Sequence, residues 1–286
     1  CIFSIIFLAF VIFKTHDDFG YYHFPYSYYL NKFSMIIGIG PLNLGFRTPS
    51  SIFYLNSLFY FPYIEYYLYH ISVILIMGFS NIILISNIKN HLEKEKNNQF
   101  FFLNFLTFIF INIFFYRIAE HGTDRSAQIL IFLIISETFK ILILKKITFF
   151  EISKLSILFA ITISLKAFYF LYGLLLIPLL IIASKKIGYK KLMEKIFVNK
   201  SLYLSLVLII TVLITNFFNT GCFIYPLLKS CFINFDWSIQ TKVIESMALH
   251  YENWSKAGMT PNFKIDNPSN YVKDFNWING WLNRYF

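Results

Sequence analysis

Apolar runs of bilayer length alternate with short polar segments along this chain. Cys1 to Phe13 reads as the remainder of a membrane helix that closes at Leu8 to Lys14. Its roughly 13 residues fall short of the about 20 a span requires, so sequence ahead of Cys1 is expected to be missing. No small-residue cleavage site follows it, which argues against a signal peptide. A polar-aromatic loop is expected from Thr15 to about Pro62. Within it Ser51 to Tyr60 predicts a short interfacial helix, since Tyr favours the headgroup level. Full spans are predicted over Tyr63–Ile88, Phe100–Tyr116, Ala127–Leu144 and Ser201–Phe218. Leu155 to Ala183 is apolar but for Lys166. A mid-bilayer lysine is expensive unless it faces a wet cavity, so two short helices hinged near Lys166 are expected. From Asn219 the chain turns polar and Trp-rich.

The pattern therefore predicts an all-α integral membrane protein, a multi-pass helical bundle. Residues 1–218 form the transmembrane helical domain, with an outer loop over 15–62. Residues 219–286 form an extracytoplasmic tail. Composition agrees: 57% of residues are hydrophobic and only 14% charged, against about 45–50% and 25% in soluble domains. The mean hydropathy is +0.59.

The net charge of +10 adds orientation rather than a nucleic-acid partner, because no RNA- or DNA-binding motif is present. The connectors 89–98, 140–154 and 185–200 carry three, four and six lysines. Short lysine-rich loops face the cytoplasm. The alternating connectors then lie outside: Asp17-Asp18, the segment Arg117 to Arg125, the hinge at Lys166 and the C-terminal tail.

Four of these polar features invite chemistry. In Asp17-Asp18 one carboxylate can take a proton while its neighbour tunes it, or the pair can help bind a divalent metal ion. Residues i and i+1 do not share a helix face, so only one of the two points into a site. His23, a few residues on, can add a ligand. Arg117, Glu120, His121, Asp124 and Arg125 place five ionisable or imidazole groups in one short segment. Either arginine suits a phosphate, and Glu120 or Asp124 offers a second carboxylate. Lys166 either snorkels to an interface or lines a wet cavity. Arg47 closes a Gly-rich patch in which backbone amides can approach an anion.

Cys222 and Cys231 flank a short loop in the outer tail, a spacing that suits a disulfide in an oxidising compartment. It would contribute roughly 2–3 kcal/mol. The Trp residues of the tail suit a surface resting on the membrane interface, with sugar stacking as the alternative. No CxxC, HExxH, Gly-x-Ser-x-Gly, GxGxxG or Walker sequence occurs, which removes redox, metalloprotease, lipase and nucleotide-loop readings.

Asp18-x-Gly20-x-Tyr22-His23, followed by Gly38-x-Gly40-x-Leu42-x-x-x-x-Arg47, resembles the first outer loop of the GT-C glycosyltransferase superfamily. The resemblance is to a poorly characterised branch of bacterial multi-pass proteins. More distantly, the chain is similar to protein O-mannosyltransferases and the lipid A aminoarabinose transferase, which carry an acidic pair after their first helix. The likeness covers most of the chain in topology, but in motif only residues 16–47 and, more loosely, 120–125. It implies a GT-C-like bundle and a polyprenyl-phosphate-linked sugar donor. It also implies inverting transfer to a lipid, glycan or protein acceptor on the outer face of the bacterial cytoplasmic membrane. Asp18 would be the general base and Asp17 its partner. Arg117, Arg125 or Lys166 would neutralise the departing phosphate. The sequence is short for that superfamily, without its C-terminal helices and large soluble domain, so the chain is expected to be either truncated at both ends or a reduced member. Two other readings stand beside it: a transporter or flippase of a lipid-linked saccharide, and a non-catalytic membrane subunit.

Overall fold

The computed structural model describes residues 3, 5, 18–33, 36–94, 98–114, 123–144, 147–257, 265 and 267–285. The fold is all-α: among the described residues there is no β-strand, only the isolated bridges Phe61–Glu65 and Cys222–Cys231. Four stretches of these residues are helical, long and apolar enough to cross a membrane: Tyr66–Glu93, Thr123–Ile143, Ala167–Ile187 and Lys200–Thr220. Asn98–Ile113 is apolar but shorter. The chain forms two compact units, one of residues 1–35 and 49–212 and one of residues 36–48 and 213–286. Residues 36–48 thus belong with the C-terminal part of the chain and not with the sequence around them.

In the first unit a π-helical turn, Phe19–His23, runs into α1 (Phe24–Lys32). Helix α2 (Ser51–Ser57) follows, its first turn capped by Ser50, whose Oγ accepts from the Ile52 N–H at 3.4 Å. The stretch 15–62 is therefore not the long loop its glycines and prolines suggest, since much of its described part is helical. The span expected over Tyr63–Ile88 also shifts. Tyr63 and Glu65 have positive φ (75° and 53°), so the chain turns there. After a 3-10 turn at Tyr66–Leu68, α3 runs over Ile71–Lys94.

Helices α4 (Asn98–Phe114), α5 (Thr123–Leu144) and α6 (Phe149–Leu165) follow. Helix α5 begins four residues ahead of the expected Ala127, because Thr123, Asp124 and Arg125 supply its first turn. The Asp124 carboxylate suits that position, where the helix dipole favours negative charge. Helix α6 is capped by Thr148, whose Oγ1 accepts from the Glu151 N–H at 3.3 Å.

Helix α6 stops at Lys166, which is extended (φ −153°, ψ 107°). A 3-10 segment, Ala167–Leu175, and α7 (Leu176–Ile187) carry the chain on. The expected hinge is thus present. Gly188 (φ +83°) ends α7. The lysine-rich connector after it is itself helical, α8 (Tyr189–Val198), and leads into α9 (Lys200–Thr220).

Polar side chains join the apolar helices. Asn81 and Asn112 exchange amide hydrogen bonds of 3.1 and 2.9 Å between α3 and α4. Asn87 Nδ2 donates to Asn104 Oδ1 (3.2 Å) and to Glu137 Oε1 (3.0 Å). Ser136 Oγ donates to Asn104 Oδ1 at 2.8 Å. Lys154 Nζ, on α6, donates to Glu137 Oε2 at 2.8 Å, and Lys140 Nζ reaches Asn87 Oδ1 at 3.2 Å. Glu137 is 3% exposed, so this one network ties α3, α4, α5 and α6 around a buried carboxylate.

In the second unit the Gly-rich patch packs on the end of α9. The Gly38 N–H donates to Phe218 O (2.7 Å) and the Gly40 N–H to Asn219 O (2.9 Å). A Cβ on Gly38 would lie 2.4 Å from Trp237 Cβ, and one on Gly40 would lie 2.5 Å from Asn219 O. These glycines permit close packing, and their amides, expected to face an anion, bind carbonyls instead. Cys222 and Cys231 are joined by a disulfide. Cys222 is fully buried beside Tyr225, Ile239 and Ile244, with Val243 and Met247 against them. The tail is largely helical: α10 (Thr241–Ala257), α11 (Pro268–Val272) and α12 (Trp277–Tyr285).

Candidate functional site

Lys166 Nζ lies 2.6 Å from Asp124 Oδ1. The hinge projects the lysine from the C-terminal end of α6, and the first turn of α5 presents the carboxylate. Thr123 Oγ1 also donates to Asp124 Oδ1 at 3.1 Å. Both charged side chains are half exposed, 44% for Lys166 and 55% for Asp124. An ion pair this open contributes about 0.2–1 kcal/mol, so stability alone gives little reason for it. Three donors on one ammonium leave Lys166 able to bind a further anion while Asp124 fixes its position.

The π-helical turn carries Asp18 and His23 of the sequence motif. Its defining bond runs five residues, from the Phe24 N–H to Phe19 O. With that bonding, residues five apart lie one turn above each other, so Asp18 and His23 share a face. Single π turns recur at functional sites. Asp18 stands at the head of the turn and is half-buried. His23 is 5% exposed, its ring edge-on to Tyr22 at 4.4 Å and beside Phe53 at 5.5 Å. Helix α2, which carries Phe53, is tied to the hinge by Ser51 Oγ and Ser164 Oγ, 2.8 Å apart. The motif, α2 and the Asp124–Lys166 pair thus form one connected region of the first unit.

Arg125 Nη1 donates to Gln128 Oε1 at 3.0 Å. Gln128 is an addition that the apolar pattern conceals. Among the sequence-derived candidates the structure pairs Asp124 with Lys166, with Arg125 beside Asp124 in the first turn of α5, while Asp18 and His23 lie at the π turn that packs on α2. Asp17, Arg117, Glu120 and His121 lie outside the described residues. Arg47 belongs to the second unit. It is buried, and its guanidinium donates to Gly40 O (3.2 Å) and to Tyr225 Oη (3.1 Å). Among the described residues no three His, Cys, Asp or Glu side chains converge as a metal site would require.

The buried network around Glu137 was missed in the sequence. Its signal was present: Asn87, Asn104, Ser136 and Glu137 each interrupt an apolar run, and polar groups so placed are functional or structural candidates.

A family model described as a domain of unknown function (DUF8201) matches residues 1–285. The chain belongs to this family. No curated protein and no solved structure matches it. In this DUF8201 chain the match runs through both compact units, so the Asp124–Lys166 region and the disulfide-bonded tail both fall within the family's domain.

Proposed function

We propose that the chain is a multi-pass membrane glycosyltransferase of GT-C type, with its site at the end of the first unit that carries Asp18, His23, Asp124 and Lys166. The observation that carries the reading is the meeting of Lys166 with Asp124, in the region that helix α2 joins to the histidine of the Asp18 motif. In the proposed reaction Asp18 takes the proton of an acceptor hydroxyl as that oxygen bonds the anomeric carbon of the sugar. The bond from that carbon to the phosphate oxygen breaks, and the electron pair leaves with polyprenyl phosphate. Lys166 stabilises the charge that develops on the leaving phosphate. Preorganised charge of this kind is usually the largest catalytic contribution. The disulfide agrees with a tail on the oxidising, outer side of a bacterial cytoplasmic membrane.

The test is Asp18→Asn, assayed in membranes with a radiolabelled polyprenyl-phosphate hexose. Loss of transfer at unchanged protein level is the expected result. Transfer at the wild-type rate would remove Asp18 as the base.

One observation favours a second reading, a carrier for a lipid-linked saccharide. Asp124 and Glu137 are 13 positions apart on α5, about 20 Å at helical rise, so charged groups occur at two depths of one bundle.

A further inference from the structure

We propose that the end of the first unit formed by α6, α7 and α8 binds the phosphate of an anionic phospholipid. Helix α7 closes at Gly188 and α9 opens at Lys200, and both belong to stretches long and apolar enough to cross a membrane. The ten residues of α8 connect them at the same membrane face. This helix is amphipathic. Leu192 is buried and Met193 and Ile196 are half-buried on one side, while Lys190, Lys191, Glu194 and Lys195 occupy the other. Tyr189 and Phe197 are exposed at its two ends. A short basic amphipathic helix of this kind lies in the headgroup plane, with its apolar side toward the acyl boundary.

Charge complementarity names the occupant. Lys185, Lys186, Lys190, Lys191, Lys195 and Lys200 are all exposed, with Glu194 the one acid among them in sequence. Among the described residues none of the six is paired with a carboxylate. Two of them converge on one feature. Lys186 and Lys195 line a cleft of about 210 Å³ whose other walls include Thr148, Ile152 and Ile187. Two ammonium groups and a hydroxyl over an apolar floor suit a phosphodiester with an acyl chain beneath it. A soluble phosphate would gain nothing from that floor. The inference rests on the membrane-crossing reading of α7 and α9, and not on transferase chemistry.

The test uses the full chain purified in detergent and offered equal parts of phosphatidylglycerol and phosphatidylcholine, with retained lipid counted by native mass spectrometry. Each basic residue near an anionic surface favours binding enough that two give a preference of roughly tenfold or more for phosphatidylglycerol. Lys186→Gln/Lys195→Gln is expected to bring the two lipids to parity, and Lys186→Arg/Lys195→Arg to keep the preference. In the wild type, phosphatidylglycerol is also expected to protect Lys186 and Lys195 from acetic anhydride more than Lys89. That measurement stands even if the glutamine variant fails to fold. Preference retained by the glutamine variant, absence of protection, or displacement of the lipid by inorganic phosphate would each overturn the proposal. No transfer assay is involved, so these outcomes are separate from the fate of the transferase reading.

Discussion

Lys166 and Asp124 meet at one end of the antiparallel pair α5 and α6, and Lys154 meets Glu137 in its other half. One register produces both contacts, yet their surroundings differ. The first pair is open to solvent, whereas the Glu137 carboxylate is buried within a hydrogen-bonded network. The two pairs therefore respond differently to substitution.

Lys166→Gln should leave the helical fold almost intact. The pair is half exposed and worth less than about 1 kcal/mol, so the melting temperature read by circular dichroism should shift by only a few degrees. If the proposed transferase reading holds, sugar transfer should fall by about a hundredfold or more, as it does when one preorganised donor to a developing charge is removed. A large stability loss with transfer retained would make the pair structural.

Lys154→Ala should act in the opposite sense. It leaves the buried Glu137 with Lys140 as its remaining cation, 3.9 Å away. Breaking a buried pair from one side costs about 3–5 kcal/mol, and Lys140 keeps the loss toward the lower end. The double change Lys154→Ala/Glu137→Gln should recover part of it. Helical melting of the two variants in detergent checks this directly.

The disulfide should matter to the second unit. Replacing Cys222 and Cys231 with serine removes a constraint worth roughly 2–3 kcal/mol for a loop of this length. All four tryptophans, at 237, 254, 277 and 281, lie in this unit, so intrinsic fluorescence follows its unfolding. The transition should move to lower denaturant in the serine variant, and in the wild type after reduction.

Alkaline pH should weaken the same unit. Burial pushes the Tyr225 hydroxyl above its ordinary value, with the nearby Arg47 guanidinium opposing that shift. Because the folded pKa is the higher one, the associated stability is complete below about pH 10, where the unfolded tyrosine also keeps its proton. It declines as pH rises from there through the folded value. Tyr225→Phe should flatten this alkaline limb in a fluorescence-monitored titration.

The hinge shows how far local reasoning reaches. A lysine within a long apolar run has few tolerable placements, so the break at Lys166 was legible from cost alone. The helical character of 189–198 was legible in its amphipathic spacing but concealed by its lysine count, which reads as a loop. The patch Gly38 to Arg47 misleads for a related reason. Glycines that cradle an anion and glycines that admit another backbone look alike in sequence, and here they admit Trp237 and Asn219.

The sequence by itself determined the class of the protein: all-α, with apolar helices long enough for a bilayer, lysine-rich connectors, a hinge and a pair of cysteines spaced to suit a disulfide. Hydrophobic length and the cost of buried charge act locally, so they can be read along the chain. Only the tertiary structure decided which polar groups meet. The partnership of Lys166 with Asp124, of Glu137 with Asn87 and Lys154, and of Arg47 with Tyr225 depends on the register between helices or on segments far apart in sequence. The contact of Tyr22 and His23 with Phe53 of α2 likewise joins segments far apart in sequence.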